Sequence, residues 1–215
     1  MGTNVVFVGP CDPASFQPKN LTEQGLITEA DAAQLRYDIL SADITVLRLP
    51  WIQIVAETTK LVASTTLETP LGEPMRDFVL AYCDALTNKS FTALGINHSL
   101  HFGIADEQGW HKIGNTLVPK DHVWSATMTA PGMASVAVQG KRLDSDLLGA
   151  LTVRVEPSVR VKPGVYVNMN DHFDAPVPNE DPDFLIGVLE DQWDSSKARL
   201  DRIVADLKGL ADVVN

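Results

Sequence analysis

From Ile186 onward, apolar residues recur at alternating steps of three and four: Ile186, Leu189, Trp193, then Leu200, Ile203, Leu207, Leu210 and Val214, with only Ser196 interrupting. Those steps return side chains to one side of an α-helix and of no other regular structure. Asp181 is a capping residue and Pro182 suits the first helical position, so the pattern predicts one helix of about thirty residues. Asp183, Glu190, Asp191 and Asp194 fall in its first half, and Lys197, Arg199, Arg202 and Lys208 in its second. That is the order the helix dipole favours. A rod with one oily edge needs something to lie against. Its edge is narrow, closer to a coiled-coil seam than to the broad stripe of a helix packed on its own sheet. Two partners follow: the chain's own sheet for the first half, and a second copy for the second half, with Leu200, Ile203, Leu207 and Leu210 as interface residues.

Upstream, the period is two. Ile44–Leu49, Trp51–Glu57 and Leu61–Leu67 read as an antiparallel meander, and a helix follows with Met75, Phe78, Val79, Tyr82 and Leu86 along one side. Phe91–Ile104 reads as a long strand with Thr92, Leu94, Ile96, His98, Leu100, Phe102 and Ile104 on one face. Two-residue alternation returns at Ala134–Val138, Leu147–Val155, Val159–Val161 and Val165–Met169. Asn4–Val8 reads as a first strand, and Thr28, with Asp31 three residues on, as the cap of a helix running to Leu40. Residues 106–132 read mostly as loop with one helical turn. The chain is thus expected to be one α+β domain over 1–215: a curved antiparallel sheet, helices on one face, and a long C-terminal helix. The blocks 44–87 and 134–212 share a strand–strand–strand–helix layout that suggests duplication.

Composition bounds function. Lys and Arg number 17 against 28 acids, a formal charge of −11. The excess of acid holds in both halves, 6 bases to 11 acids over 1–100 and 11 to 17 over 101–215. Phosphate backbones demand clustered basic surface, so no nucleic-acid partner is expected. No apolar run is long enough to cross a bilayer, so neither is a membrane. Two cysteines in 215 residues form no disulfide framework, and the first residues lack a basic, then apolar, leader. A cytoplasmic protein with reduced thiols is the expectation.

Candidate sites are few. Asn170-Asp171-His172-Phe173-Asp174 is the densest polar cluster; Asp171 orienting His172 or His98 would make a proton-transfer pair, although neighbours on a strand diverge. His98 and His101, three apart on a strand, point to opposite faces, so no metal site is expected. No nucleotide-binding glycine loop occurs, and no cofactor is expected. Cys11, in Gly9-Pro10-Cys11-Asp12-Pro13, reads as a turn residue. Trp51, Trp110 and Trp193, with His98, could line a pocket between sheet and long helix, gated by 106–132.

The order of features resembles a sporadically distributed group of uncharacterised bacterial proteins. The resemblance rests on Phe16-Gln17-Pro18 before paired strands, the strand Leu94-Gly95-Ile96-Asn97, the late strand Val167-Asn168-Met169-Asn170-Asp171, and the closing helix. The Arg-Tyr pair that the group carries before the Asn is absent here. The resemblance implies a prokaryotic cytoplasmic protein encoded among accessory genes and brings no catalytic residue. Two functions are therefore expected to compete: a non-enzymatic interaction module associating with itself or another protein, or a small-molecule-binding protein or weak hydrolase with its pocket under the terminal helix.

Overall fold

The alternation read from the sequence is realised in nine strands of one antiparallel sheet. The computed structural model describes residues 1–65, 72–86, 88–121, 123–176 and 181–212. In chain order the elements are β1 (Gly2–Val8), α1 (Pro18–Glu23), α2 (Glu29–Ala32), β2 (Arg36–Leu40), β3 (Ile44–Arg48), β4 (Gln53–Glu57) and β5 (Lys60–Thr65). Then come α3 (Gly72–Ala85), β6 (Ala93–Gly103), α4 (Glu107–Leu117), β7 (Val136–Gly140), β8 (Gly149–Pro157), β9 (Gly164–Asp174) and α5 (Phe184–Asp212). The strand order is β2-β3-β4-β5-β1-β6-β9-β8-β7. It is nearly a palindrome. A first strand, helical connection, meander and helix (β1 to α3) is followed by a second such series (β6 to α5), and the two first strands pair at the centre of the sheet.

Period-two burial explains why the helices occupy one face. Val5 and Phe7 on β1, Leu61 and Ala63 on β5, Leu94 and Ile96 on β6, and Val167, Met169 and Phe173 on β9 are buried. Their neighbours Asn4, Val6, Val62, Asn97 and Asn168 on the other face keep part of their surface. Two clusters fill the covered side. The first joins Phe7, Phe16, Ile54, Phe78, Tyr82 and Leu94 to Leu185, Leu189 and Trp193 of α5. The second joins Phe102, Ile113, Val165, Val167 and Met169 to Leu200, Val204 and Leu207 of the same helix.

Several expectations change. The capping box at Thr28 is present, its hydroxyl accepting from Asp31 N at 3.1 Å and Asp31 Oδ2 accepting from Thr28 N at 3.1 Å. The helix it starts ends after one turn, at Ala32, and residues 36–40 instead form edge strand β2, where Tyr37 pairs Leu47. Tertiary pairing with β3 outweighs the weak helix propensity of that segment. The stretch 106–132 holds a full helix, α4, with Asp106 Oδ1 accepting from Gly109 N at 2.7 Å. The Trp110, Ile113, Leu117 spacing carried that signal. Val159–Val161 lies in the β8–β9 connection, not in a strand. The end of the predicted strand Leu61–Leu67 and Val214 lie outside the described residues.

The terminal helix is continuous over 29 residues. Its second half lies on the chain's own sheet: Leu200 and Leu207 are buried, and Ile203 and Leu210 pack partly buried against the same cluster. Val204, off the predicted seam, is buried with them, so the apolar stripe is broader than the sequence suggested. Leu200→Ala is expected to cost about 2–5 kcal/mol, read as a lower urea midpoint at an unchanged slope. A midpoint within experimental error of wild type would contradict this packing.

Candidate functional site

Asp171 sits on the covered face of β9 and is fully buried. Both its oxygens are occupied. Oδ1 accepts from Arg142 Nε at 2.6 Å and Oδ2 from Arg199 Nη1 at 2.6 Å. Arg142 arrives from the β7–β8 connection with its side chain fully buried, donates also to the carbonyls of Leu147 and His172, and stacks 3.7 Å from the Phe173 ring centroid. Arg199 arrives from α5 and donates through Nε to both oxygens of Asp144, at 3.0 and 3.1 Å, and through Nη2 to Gln192 at 2.8 Å. The hydrogen bond and charge of Arg199 hold the Asp144 carboxyl below its usual range. Two cations and two anions balance, and fork-like guanidinium donors meet planar carboxylates as they do in strong charge-assisted pairs. Gly149 enables the approach: its φ is +111°, and a Cβ there would collide with the His172 carbonyl that Arg142 also uses.

His98 lies on the same covered face, one diagonal step from Asp171, because it pairs Met169 while Asp171 pairs Ile96. Its Nδ1 lies 3.2 Å from Thr3 Oγ1, and its ring stands edge-on to Trp193 at 6.2 Å. Among the described residues its Nε2 and the Ser196 Oγ one helical turn past Trp193 make no hydrogen bond. Burial pushes the imidazole down to about 4, against the opposing pull of Asp171 and Asp201 and with a small addition from Lys197. Asp171 is committed to its arginines and does not orient His98. His172 points to the opposite face, with Nε2 3.0 Å from Asp174 Oδ1. The dense polar cluster read from the sequence is thus split between a buried ionic knot and a surface pair. Arg142 and Arg199, the residues that engage Asp171, were missed; only contact across the fold reveals them.

The tryptophans separate. Trp51 donates to Asp31 Oδ1 at 3.1 Å, Trp193 is in the first core cluster beside His98, and Trp110 donates to the Gly164 carbonyl at 2.9 Å at the other end of the sheet. Beneath α5 the space is filled by Leu189, Trp193, Ser196 and Leu200. Trp110 instead borders a cleft of about 130 Å³ with Lys120, Met133 and Glu156. A wider, open trough of about 1020 Å³ runs along α4 and the end of α5, edged by surface side chains such as His111 and Asn115. His101, on the uncovered face, stacks on Tyr166 and meets Ser158 Oγ at 2.9 Å. Cys11 lies 3.5 Å from Tyr82 Oη, and burial pushes its thiol up, which leaves it a poor nucleophile. Among the described residues no group of three His, Cys, Asp or Glu could hold a metal ion.

Pairing register exposes what the sequence hides. On the uncovered face one row crosses all nine strands: Arg36, Arg48, Gln53, Ser64, Asn4, Asn97, Asn170, Thr152 and Gln139, each opposite the next. At its centre Asn97 Nδ2 donates to Asn4 Oδ1 at 2.7 Å, and farther out Gln139 donates to Thr152 at 3.2 Å. The adjacent row runs Val46, Val55, Val62 and Val6 before Gly95 and His172. Apart from Arg36, the strand charges on this face are matched locally, in Arg48–Asp38, Lys60–Glu57, Arg154–Glu156 and His172–Asp174. No protein-family model and no curated protein matches the chain.

Two outcomes follow. Asp171→Asn leaves two guanidiniums without their shared anion and is expected to destabilise by about 3–5 kcal/mol, measured by urea unfolding; a loss under about 1 kcal/mol would show the knot to be dispensable. His98 has a folded pKa depressed from 6.5 to about 4, so its contribution is complete above 6.5 and is lost as pH falls from 6.5 to 4. His98→Gln should therefore flatten the stability–pH curve in that window, and imidazole NMR shifts of wild type should hold their neutral values at pH 5.5. A midpoint near 6.5 for that resonance would contradict the buried neutral ring.

Proposed function

We propose that the chain is a non-enzymatic binding module whose working surface is the uncovered face of the sheet, taking an extended, largely uncharged stretch of another polypeptide. The observation that carries this reading is the row of amide and hydroxyl side chains across seven adjacent strands, from Gln53 to Gln139, closed at one end by Arg48 and Arg36 and flanked on β3, β4, β5 and β1 by valines. Amides offer donors and acceptors together, and valines beside them supply apolar area, the mixture found where a partner is held without charge pairing. Local matching of its charges argues against a phosphate backbone, as does the formal −11 of the chain.

Among the described residues no helix is long and apolar enough to cross a membrane. Free Cys11 and Cys83 fit a reducing, cytoplasmic setting. The competing small-molecule reading needs a pocket between the sheet and α5, where side chains fill the space; the cleft at Trp110, about 130 Å³, is below the roughly 300–1,000 Å³ of ordinary ligand pockets, and the larger space along α4 and the end of α5 is an open trough. Asp171, the catalytic candidate, is spent on two arginines, which also favours binding over hydrolysis.

The test is a panel of short neutral peptides measured against wild type and against Asn170→Glu and Thr152→Glu, each made alone because the two positions face each other across β8 and β9. Both positions lie on the uncovered face, so melting temperature should hold while peptide affinity drops by tenfold or more, about 1.4 kcal/mol. Equal affinity in both variants, or binding confined to acidic or nucleic-acid controls, would refute the reading.

A further inference from the structure

The two edges of the sheet are built differently. Edge strand β2 carries Arg36 and Asp38, an ion pair from Asp38 to Arg48, and a register shift between Tyr37 and Ile39. Charges and bulges on an edge are the usual means of keeping strands from adding to it. Edge strand β7, Val136-Ala137-Val138-Gln139-Gly140, has no charge and no irregularity in its pairing with β8. From Ala137 to Gly140 it is exposed, with Val138 at 66%. Its outer row of backbone groups is therefore unguarded.

Exposed apolar residues also occur in the two connections that flank this strand in the chain. Val123, Trp124 and Met128 are exposed in the connection leading into β7, and Leu143 and Leu148 in the one leading out. Leu143 is held out fully exposed because the residues beside it are anchored, Arg142 to Asp171 and Asp144 to Arg199. The outgoing connection is thus a rigid display. Antiparallel pairing of two identical strands brings the incoming connection of each copy beside the outgoing connection of the other. Exposed apolar residues in both connections, with an uncharged strand between, suit such self-complementarity. It also lets two chains of formal charge −11 meet without opposing charges on the strand itself.

From this we infer that the protein forms a two-fold dimer by antiparallel pairing of β7 with β7 of a second copy. The two-fold axis stands normal to the sheet, as it does between any two antiparallel strands. All helices of both copies then lie on one side, and the two uncovered faces join into one surface of eighteen strands, twice the nine of a single chain. This inference uses the edge alone and does not depend on what the uncovered face binds.

The experiment is sedimentation of the full chain without any partner, over micromolar to submillimolar concentration, for wild type, Val138→Lys, Ala137→Pro and Leu40→Lys. Wild type should show twice the 23.4 kDa chain mass at the upper concentrations. Val138→Lys and Ala137→Pro should show the single-chain mass throughout, at the wild-type melting temperature for Val138→Lys. Leu40→Lys, on the guarded edge, should remain dimeric. A wild type of single-chain mass at every concentration, a dimer that persists in Val138→Lys, or equal loss in Leu40→Lys would each overturn the inference. None of these results bears on peptide capture by the uncovered face, which is assayed separately.

Discussion

One buried carboxylate holds three separate parts of the chain in place. Asp171 lies in strand β9, Arg142 in the β7–β8 connection and Arg199 near the middle of α5, and the two guanidiniums meet on the one anion. Desolvating such a group is expensive unless its lone pairs are filled with good geometry, and here both oxygens are filled at 2.6 Å. A less exact fit would turn the knot into a liability, so it selects a single register of α5 along the sheet. Hydrophobic contact is less particular, because Leu189, Trp193, Leu200 and Leu207 carry no directional partner. The knot also divides the core, with the Trp193 cluster on one side and the Leu200 cluster on the other.

The palindromic strand order gives this division a wider meaning. Each half consists of a first strand, a helical connection, a meander and a helix, and the halves meet where Asn4 bonds Asn97. They are not equally furnished. In the first half, short helices and Phe16, Leu21 and Tyr82 cover the meander. In the second, α4 and the far half of α5 do the same work with fewer large side chains, and the outermost strand β7 extends past their cover. The ionic knot sits on this thinner half, where apolar contact supplies least.

Local pattern made the skeleton legible. Period-two alternation located most strands, and the three-and-four spacing located α5 to within two or three residues at its start. Two of the misreadings share a cause, namely that a partner outside the segment decides a weak local preference. Residues 36–40 became strand because β3 offered an edge, and the breadth of the α5 stripe came from Val204 meeting a sheet no periodicity describes. Site residues were harder still. Asp171 and His172 stand side by side in sequence and on opposite faces in the fold, while Arg142 and Arg199 lie 29 and 28 residues from Asp171 and touch it. His98 was assigned correctly to an apolar face, and its neutrality follows from that placement.

The row of polar side chains on the uncovered face was invisible for a different reason. Its members come from nine strands scattered between Asn4 and Asn170, and no two are close enough in sequence to form a motif. Each alone is an ordinary surface residue; register makes them a row. A sheet face meant only to stay soluble in a chain this acidic would carry unpaired Asp, Glu or Lys at alternate positions, the cheapest way to keep water and repel neighbours. Here the acids on that face are matched by neighbouring bases, and the excess acid is carried elsewhere, as in Glu190, Asp191 and Asp194 on α5. Charge is thus absent from the row between Gln53 and Gln139 and from edge strand β7 together, the two surfaces on which an approaching strand would find hydrogen-bonding groups without charge.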